Sequence, residues 1–552
     1  MHPVLEILSC LVALAGTLMA PRAAEPADLI LAGGVVHTVD ASLPRAEAVA
    51  VRGGLIVYVG ATSGAMALRG PDTRVVELKG RAVVPGLTDA HGHLAGLGRS
   101  LSILDLSAAS SAAAIASLVR QRAAGLAEGE WIEGRGWDQN DWEDKSFPAA
   151  AVLDAAAPRH PVALRRVDGH ATWVNRRAME LAGVTRSTPD PEGGRIVRDA
   201  SGEPTGVFVD TAEEMIDRLI PEPDRAARRS RLEQAIRRCL ESGLTEVHDA
   251  GVSLEDLELY EELLVKGDLP FRVYAMLDAD AVSEATRPLI PPRGGRLTAR
   301  AVKMYADGAL GSRGAALLAP YADEPGGSGL LREGRQELQA RVERAARLGL
   351  QVNVHAIGDR ANRLVLDAFA SVLPEGGAGR RFRVEHAQVL ALEDIPRFAR
   401  MGVIASMQPT HATSDMPWAE ARLGPERVQG AYAWRRLLDA GARLACGSDF
   451  PVESERPMLG FYAAVTRRDL SGRPEGGWLA RERLTREEAL RCFTLDAAHA
   501  AFEEESRGSI TPGKLADLTV LSRDILSIPE RDIPAVQADM TIVGGRIAHE
   551  RR

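Results

Sequence analysis

Lysine is nearly absent from this sequence. Of 67 basic residues only five are lysines: Lys79, Lys145, Lys266, Lys303 and Lys514. Arginine serves wherever a positive charge suffices, so each remaining lysine raises the question of what a guanidinium could not do there. Cysteine is scarce too. Cys10, Cys239, Cys446 and Cys492 lie far apart with no CxxC pair, which argues against a zinc ribbon or a disulfide framework. The last three are expected as buried free thiols. No basic stripe stands out in a chain of net charge −9, so nucleic acid is not an expected partner. The glycine-rich stretches GGLIVYVG and ADGALGSRG lack the Gly-Lys-Ser/Thr that a phosphate-binding loop needs.

Only one long apolar run exists, ILSCLVALAGTLMA, the 14 residues from Ile7 to Ala20. It is short for a membrane span and suits the apolar core of a signal peptide. No Lys or Arg precedes it, and Arg22 interrupts the small residues that follow. The expectation is a signal peptide over residues 1–24 and a periplasmic or secreted mature protein without a membrane span. The alternative is a cytoplasmic protein.

What is present is ordinary globular composition, 45% apolar and 26% charged over 552 residues, enough for two domains or one large barrel with additions. From Asp28 to Val84 short β-branched runs alternate with Gly-Gly turns, and the far C-terminus repeats this style. Residues 27–82 and 505–552 are therefore expected to form one small composite β-sandwich. The middle, residues 83–504, alternates apolar strands with helical stretches. Eight core strands are read: Val83–Asp89, Leu244–Asp249, Phe271–Met276, Ala301–Tyr305, Gln351–His355, Phe382–His386, Val403–Met407 and Arg443–Gly447. Short apolar runs separated by helices predict an α/β fold, a TIM-type (β/α)₈ barrel. The gap of about 95–242 after the first strand is too long for one crossover and is expected to be an inserted subdomain over the barrel mouth.

In such a barrel, chemistry sits where the strands end, and five of the eight predicted strands end in a residue able to bind a metal. The first ends in TDAHGHL, with His91 and His93 two apart and Gly92 leaving room between them. The fourth carries Lys303 inside an apolar run, where an unpaired ammonium is costly. Reaction of that amine with CO₂ would give a carbamate able to bridge two metals; pairing with Asp307 is the alternative. The fifth and sixth end at His355 and His386, and the eighth at Asp449, for which a helix N-cap is the alternative role. Imidazoles and carboxylates together suit zinc, with manganese, iron or nickel as substitutes.

The set VPGLTDAHGHL, VKMYADGALGSRGAAL, NVHAIGDRA, RVEHAQ, MQPTHATSDMPWAEARLG, GSDFPVE and GSITPGKLADLTVL resembles the amidohydrolase superfamily, and within it the amidohydrolase family 3 branch that includes N-substituted formamide deformylases. The resemblance runs from about Asp28 to Ile547. It implies two divalent metals: His91, His93 and Asp449 on the buried one, His355 and His386 on the exposed one, and carboxylated Lys303 between them. The expected reaction is hydrolysis of a non-peptide C–N bond in a small amide, formamide or cyclic amide, a choice over an ester that the ligand set itself does not make. A metal-bridging hydroxide attacks and Asp449 shuttles the proton. An esterase or lactonase on the same site, or a non-catalytic scaffold of the same fold, are the alternatives. Trp137, Asp138 and His170 in the insertion, and His411 and Arg422 after the seventh strand, are further candidates for substrate contact; His248 is expected to be structural. The partners expected are a small-molecule substrate and, at most, further copies of the same chain.

Overall fold

The computed structural model describes residues 25–551 except 140–141, 167–170, 192–193, 285–294, 312, 374–376 and 378. The candidate leader and His170 lie outside the described residues. Among the described residues no helix is long and apolar enough to cross a membrane.

Both chain ends contribute to one eight-stranded sheet. Leu29–His37, Arg45–Arg52, Leu55–Gly60, Arg74–Glu77 and Ala82–Pro85 come from the N-terminal side, and Leu518–Leu521, Ala538–Val543 and Arg546–Glu550 from the C-terminal side. Leu518–Leu521 runs antiparallel to Ala82–Pro85 and joins the two halves. Two of its hairpins turn on Gly53–Gly54 and Gly544–Gly545, all four with positive φ, the conformation that matches strand twist and that glycine adopts without steric cost. Leu31, Val36, Val49, Leu518 and Ile542 form its separate apolar core.

The middle of the chain forms eight parallel strands in sequence order, as the alternating pattern predicts: β1 (Leu87–Gly92), β2 (Leu244–Val252), β3 (Arg272–Asp278), β4 (Leu297–Tyr305), β5 (Gln351–Ala356), β6 (Arg383–His386), β7 (Ile404–Met407) and β8 (Arg443–Cys446). β1 differs from expectation. Val83, Val84 and Pro85 belong to the outer sheet, and the barrel strand begins only at Leu87. The reason is Gly86: its amide donates to Asp517 O at 2.7 Å, and a Cβ there would lie 2.3 Å from Thr245 Oγ1. The chain changes sheets at the one residue small enough to pass. Buried ion pairs, Arg272–Asp517 at 2.6 Å and Arg507 with Glu246, fasten the outer sheet to the starts of β2 and β3.

Between β1 and β2 a third sheet of six strands forms from Leu104–Asp105, Ile132–Trp137, Val162–Arg166, Ala171–Val174, Gly194–Arg198 and Pro204–Asp210. It has its own core around Trp137, Trp142 and Trp173, and is tied to the helix after β1 by Arg99–Glu133 at 2.7 Å.

The cysteines correct the expectation of three free thiols. Cys446 at the end of β8 is bonded to Cys492 at the end of the helix Arg486–Cys492, and only Cys239 of the described cysteines is free. Forty-six residues separate the bonded pair, but the last crossover folds that helix back against β8, which sequence spacing does not show.

Candidate metal centre

The ends of β1, β4, β5, β6 and β8 deliver His91, His93, Lys303, His355, His386 and Asp449 to the lining of one cavity of about 400 Å³. His91 is wholly buried. Its Nδ1–H donates to Glu385 at 2.5 Å, and Lys303 Nζ donates to its Nε2 at 3.1 Å. The ring is thus held as one neutral tautomer, with the Nε2 lone pair turned to the cavity floor. Burial and the nearby Lys303 push its pKa down. His93 Nδ1 donates to Ala250 O at 2.8 Å, which leaves Nε2 to face Asp449 Oδ1 at 3.0 Å. His386 Nδ1 donates to Gln408 Oε1 at 2.8 Å, and burial and His355 hold it well below the ordinary imidazole range. Burial and Lys303 lower His355 to about 3. Its Nε2 has no hydrogen bond among the described residues, lying 3.5 Å from Asp307 Oδ1.

Lys303 is 1% exposed, with no carboxylate in ion-pair reach among the described residues. Burial pulls its pKa down. Asp307 is not its partner: that carboxylate accepts the amides of Ala316, Ile357 and Gly358 at 2.8, 2.9 and 2.8 Å. Asp449 caps no helix among the described residues. Burial alone would raise its pKa, but the hydrogen bond from His93 and the neighbouring His91, His386 and His411 hold it well below the carboxylate range. His386 and Asp449 both have positive φ, 74° and 60°, a conformation that non-glycine residues keep only where surroundings fix it.

This donor set fits a divalent metal. Ligand atoms of His91, His386 and Asp449 lie within 4.8 Å of one another. His91, His355 and His386 are shifted toward the neutral imidazole, whereas against burial the hydrogen bond to Asp449 raises His93. The second nitrogens of His91, His93 and His386 are each tied to a carboxylate, carbonyl or amide oxygen, the arrangement that orients metal-bound histidines.

The remaining candidates separate. His411, on the helix Pro409–Asp415, lines the cavity. It stacks on His386 with ring centroids 5.9 Å apart, and its Nε2 is 3.8 Å from Asp449 Oδ2. Arg422 does not line it; the guanidinium pairs with Asp323 and donates to Gly311 O at 3.4 Å. Trp137 is fully buried in the insertion core, its Nε1 donating to Leu164 O at 2.7 Å, and Asp138 pairs with Arg166. None of the described insertion residues lines this cavity. Sequence reading missed Glu385, Gln408, Tyr305 and Trp418. Glu385 precedes a predicted ligand in a strand, and a charged residue inside an apolar run was the available signal. His248 is buried and accepts from Arg383 Nη1 at 2.9 Å deep in the barrel, a structural role.

A barrel whose strand ends converge four histidines, a lysine and a carboxylate in one cleft defines a metal-dependent hydrolase. Residues 74–549 match the model of the amidohydrolase family, and the chain belongs to that family. It is 36% identical to YtcJ of Bacillus subtilis (strain 168), over 94% of this chain and 99% of that protein. It is 29% identical to the N-substituted formamide deformylase of Arthrobacter pascens, over 95% and 98%. The crystal structure of an uncharacterized metal-dependent hydrolase from Pyrococcus horikoshii OT3 matches with a TM-score of 0.77 and 29% identity, over 91% of this chain and 99% of that one. The protein is thus an enzyme, a hydrolase of carbon–nitrogen bonds other than peptide bonds.

Proposed function

We propose that this enzyme hydrolyses a small amide, formamide or cyclic amide with two divalent metals, zinc foremost, held by His91, His93, Lys303, His355, His386 and Asp449. The observation that carries the reading is the convergence of these six side chains on one cavity of about 400 Å³. Likeness to a formamide deformylase along nearly the whole chain supports the amide over the ester. Bound there, the metals would supply an acidified water and a Lewis acid for the substrate carbonyl.

The chain's own residues do the rest. Asp449 Oδ2 accepts the proton of the attacking water and passes it to the leaving nitrogen. Glu385, Ala250 O and Gln408 fix which nitrogen of His91, His93 and His386 faces the floor. Lys303, buried and shifted toward the neutral amine, is the nucleophile that CO₂ converts to a carbamate with loss of one proton. Its anionic oxygens would offset the metals' charge, which an arginine there could not do. The apolar leader and a disulfide in the described chain both support export to an oxidising compartment.

The test is metal analysis of the purified enzyme beside a panel of N-formyl and N-acyl amines. Stoichiometric divalent metal, and hydrolysis that stops on chelation and returns with zinc, is the expected result. A metal-free protein that hydrolyses the panel equally well, or a metal-loaded one that cleaves only esters, would overturn it.

A further inference from the structure

Above its floor the cavity carries charge of one sign. Tyr305, Leu310, Trp418 and Val452 give the wall its apolar surface, and Asp415 and Glu453 add two carboxylates. Among the described residues lining the cavity, Lys303 on the floor is the only lysine or arginine. Two of the arginines nearby are engaged outside the cavity. Arg313 and Arg422 both pair with Asp323, the first at 2.9 Å. Arg422 also stands 5.7 Å from the Trp418 ring, bracing it from outside the cavity. Arg332, exposed, lies 5.3 Å from the ring of Tyr305.

The two acids are not equivalent. Asp415 is occupied by Gln388 Nε2 at 2.8 Å and by the Tyr432 hydroxyl. Glu453 accepts only Ser414 Oγ, at 2.6 Å on Oε1, and its second oxygen has no partner among the described residues. Glu453 follows Asp449 by four residues, so the loop that places the proton-carrying carboxylate also places this one at the rim.

We infer that the site is selective for amides of amines over amides of amino acids. The nitrogen substituent it takes is apolar and neutral or cationic, seated against Trp418, and Glu453 repels a carboxylate borne next to the scissile bond. This rests on the hydrolytic reading above. An N-acyl amino acid that puts its carbonyl on the floor must put its carboxylate at the wall. There it loses hydration, finds no lysine or arginine among the described residues of the wall to receive it, and meets like charge. The released amine is a cation at neutral pH, which the same wall accommodates.

The experiment uses a matched pair, N-formylphenethylamine and N-formylphenylalanine (both enantiomers), which differ only by the carboxylate. With the zinc-loaded enzyme kcat/KM should favour the first by roughly tenfold or more, and Glu453→Gln should narrow the gap. Equal rates, preference for the acid, or a gap untouched by Glu453→Gln overturns the inference while leaving the hydrolase reading intact. Calorimetry with phenethylamine and phenylalanine reads the same preference without turnover. If neither formyl compound is cleaved yet the amine binds and the amino acid does not, the selectivity stands and the hydrolytic reading falls. Equal binding of the two overturns the selectivity.

Discussion

The backbone amide of Asp449 donates to the carbonyl oxygen of His91 at 2.7 Å. The end of β8 is thereby bonded to the end of β1, and the barrel seam closes where the candidate ligands gather. Asp89 reinforces the seam, accepting from the His91 amide at 3.1 Å and from Ser448 Oγ at 2.6 Å. Gly447 is required between them, since a Cβ there would lie 2.5 Å from the His91 nitrogen. The left-handed backbone of Asp449, which costs about 1–2 kcal/mol for an L-residue, is held by these bonds. Its carboxylate is aimed by the main chain as well as by its rotamer.

That fixed aim makes Asp449→Asn a clean substitution. The backbone bond to His91 survives, and the amide oxygen can still face the floor, but the side chain no longer carries a proton. Metal content should stay near the wild-type value while kcat falls roughly a hundredfold to ten-thousandfold. Metal analysis and steady-state kinetics on one preparation check it. Retention of full turnover would remove Asp449 from proton transfer.

Lys303→Ala addresses the carbamate. It deletes the only lysine near the floor, together with its 3.1 Å contact to His91 Nε2, and leaves every histidine in the chain, so the variant should purify with less metal and little activity. Added acetate or propionate should restore part of both, because a short carboxylate can occupy the place of the carbamate oxygens. Unchanged metal content in the variant counts against a bridging role.

Glu385→Gln tests orientation, not ligation. Glu385 is fully buried, 2.5 Å from His91 Nδ1. Burial opposes its charge, yet His91 and Arg383 hold it at about 2. The amide keeps shape and volume but removes the negative charge behind His91. Metal affinity, measured by competition with a chromogenic chelator, should weaken about 10- to 100-fold. An unchanged affinity would mean that the ring is fixed by packing alone.

Much of this was legible in the sequence because parallel barrel strands are buried on both faces and read as short apolar runs. Lys303, His355 and His386 stood out as polar interruptions at their ends. The sheet change at Gly86 was not legible, since Val83 to Leu87 reads as one strand start and the steric demand on Gly86 comes from Thr245, 158 residues beyond Leu87. Trp137 and Asp138 were drawn toward the cleft by their motif, but three tryptophans close in space make a core, and that clustering is visible only after the third sheet folds. Glu385 showed as a charge inside an apolar run, but its partner His91 lies on a strand across the barrel, and Gln408 acts on His386 from the end of the next strand, so neither pairing is announced by a local pattern.

The pairing of Cys446 with Cys492 makes a prediction that also reads the fate of the N-terminus. With that bond formed, the denatured, unreduced chain has Cys239 as a free thiol, joined by Cys10 only if the leader is retained. One titratable thiol therefore means a processed, crosslinked chain and two an unprocessed, crosslinked one; reduction should add two in either case. Closing a loop of 46 residues should also stabilise the fold by about 2–4 kcal/mol, so reductant in the denaturant series should move the unfolding midpoint down. Three thiols without reductant in a chain lacking residue 10 would remove the crosslink, and with it the structural half of the argument for export.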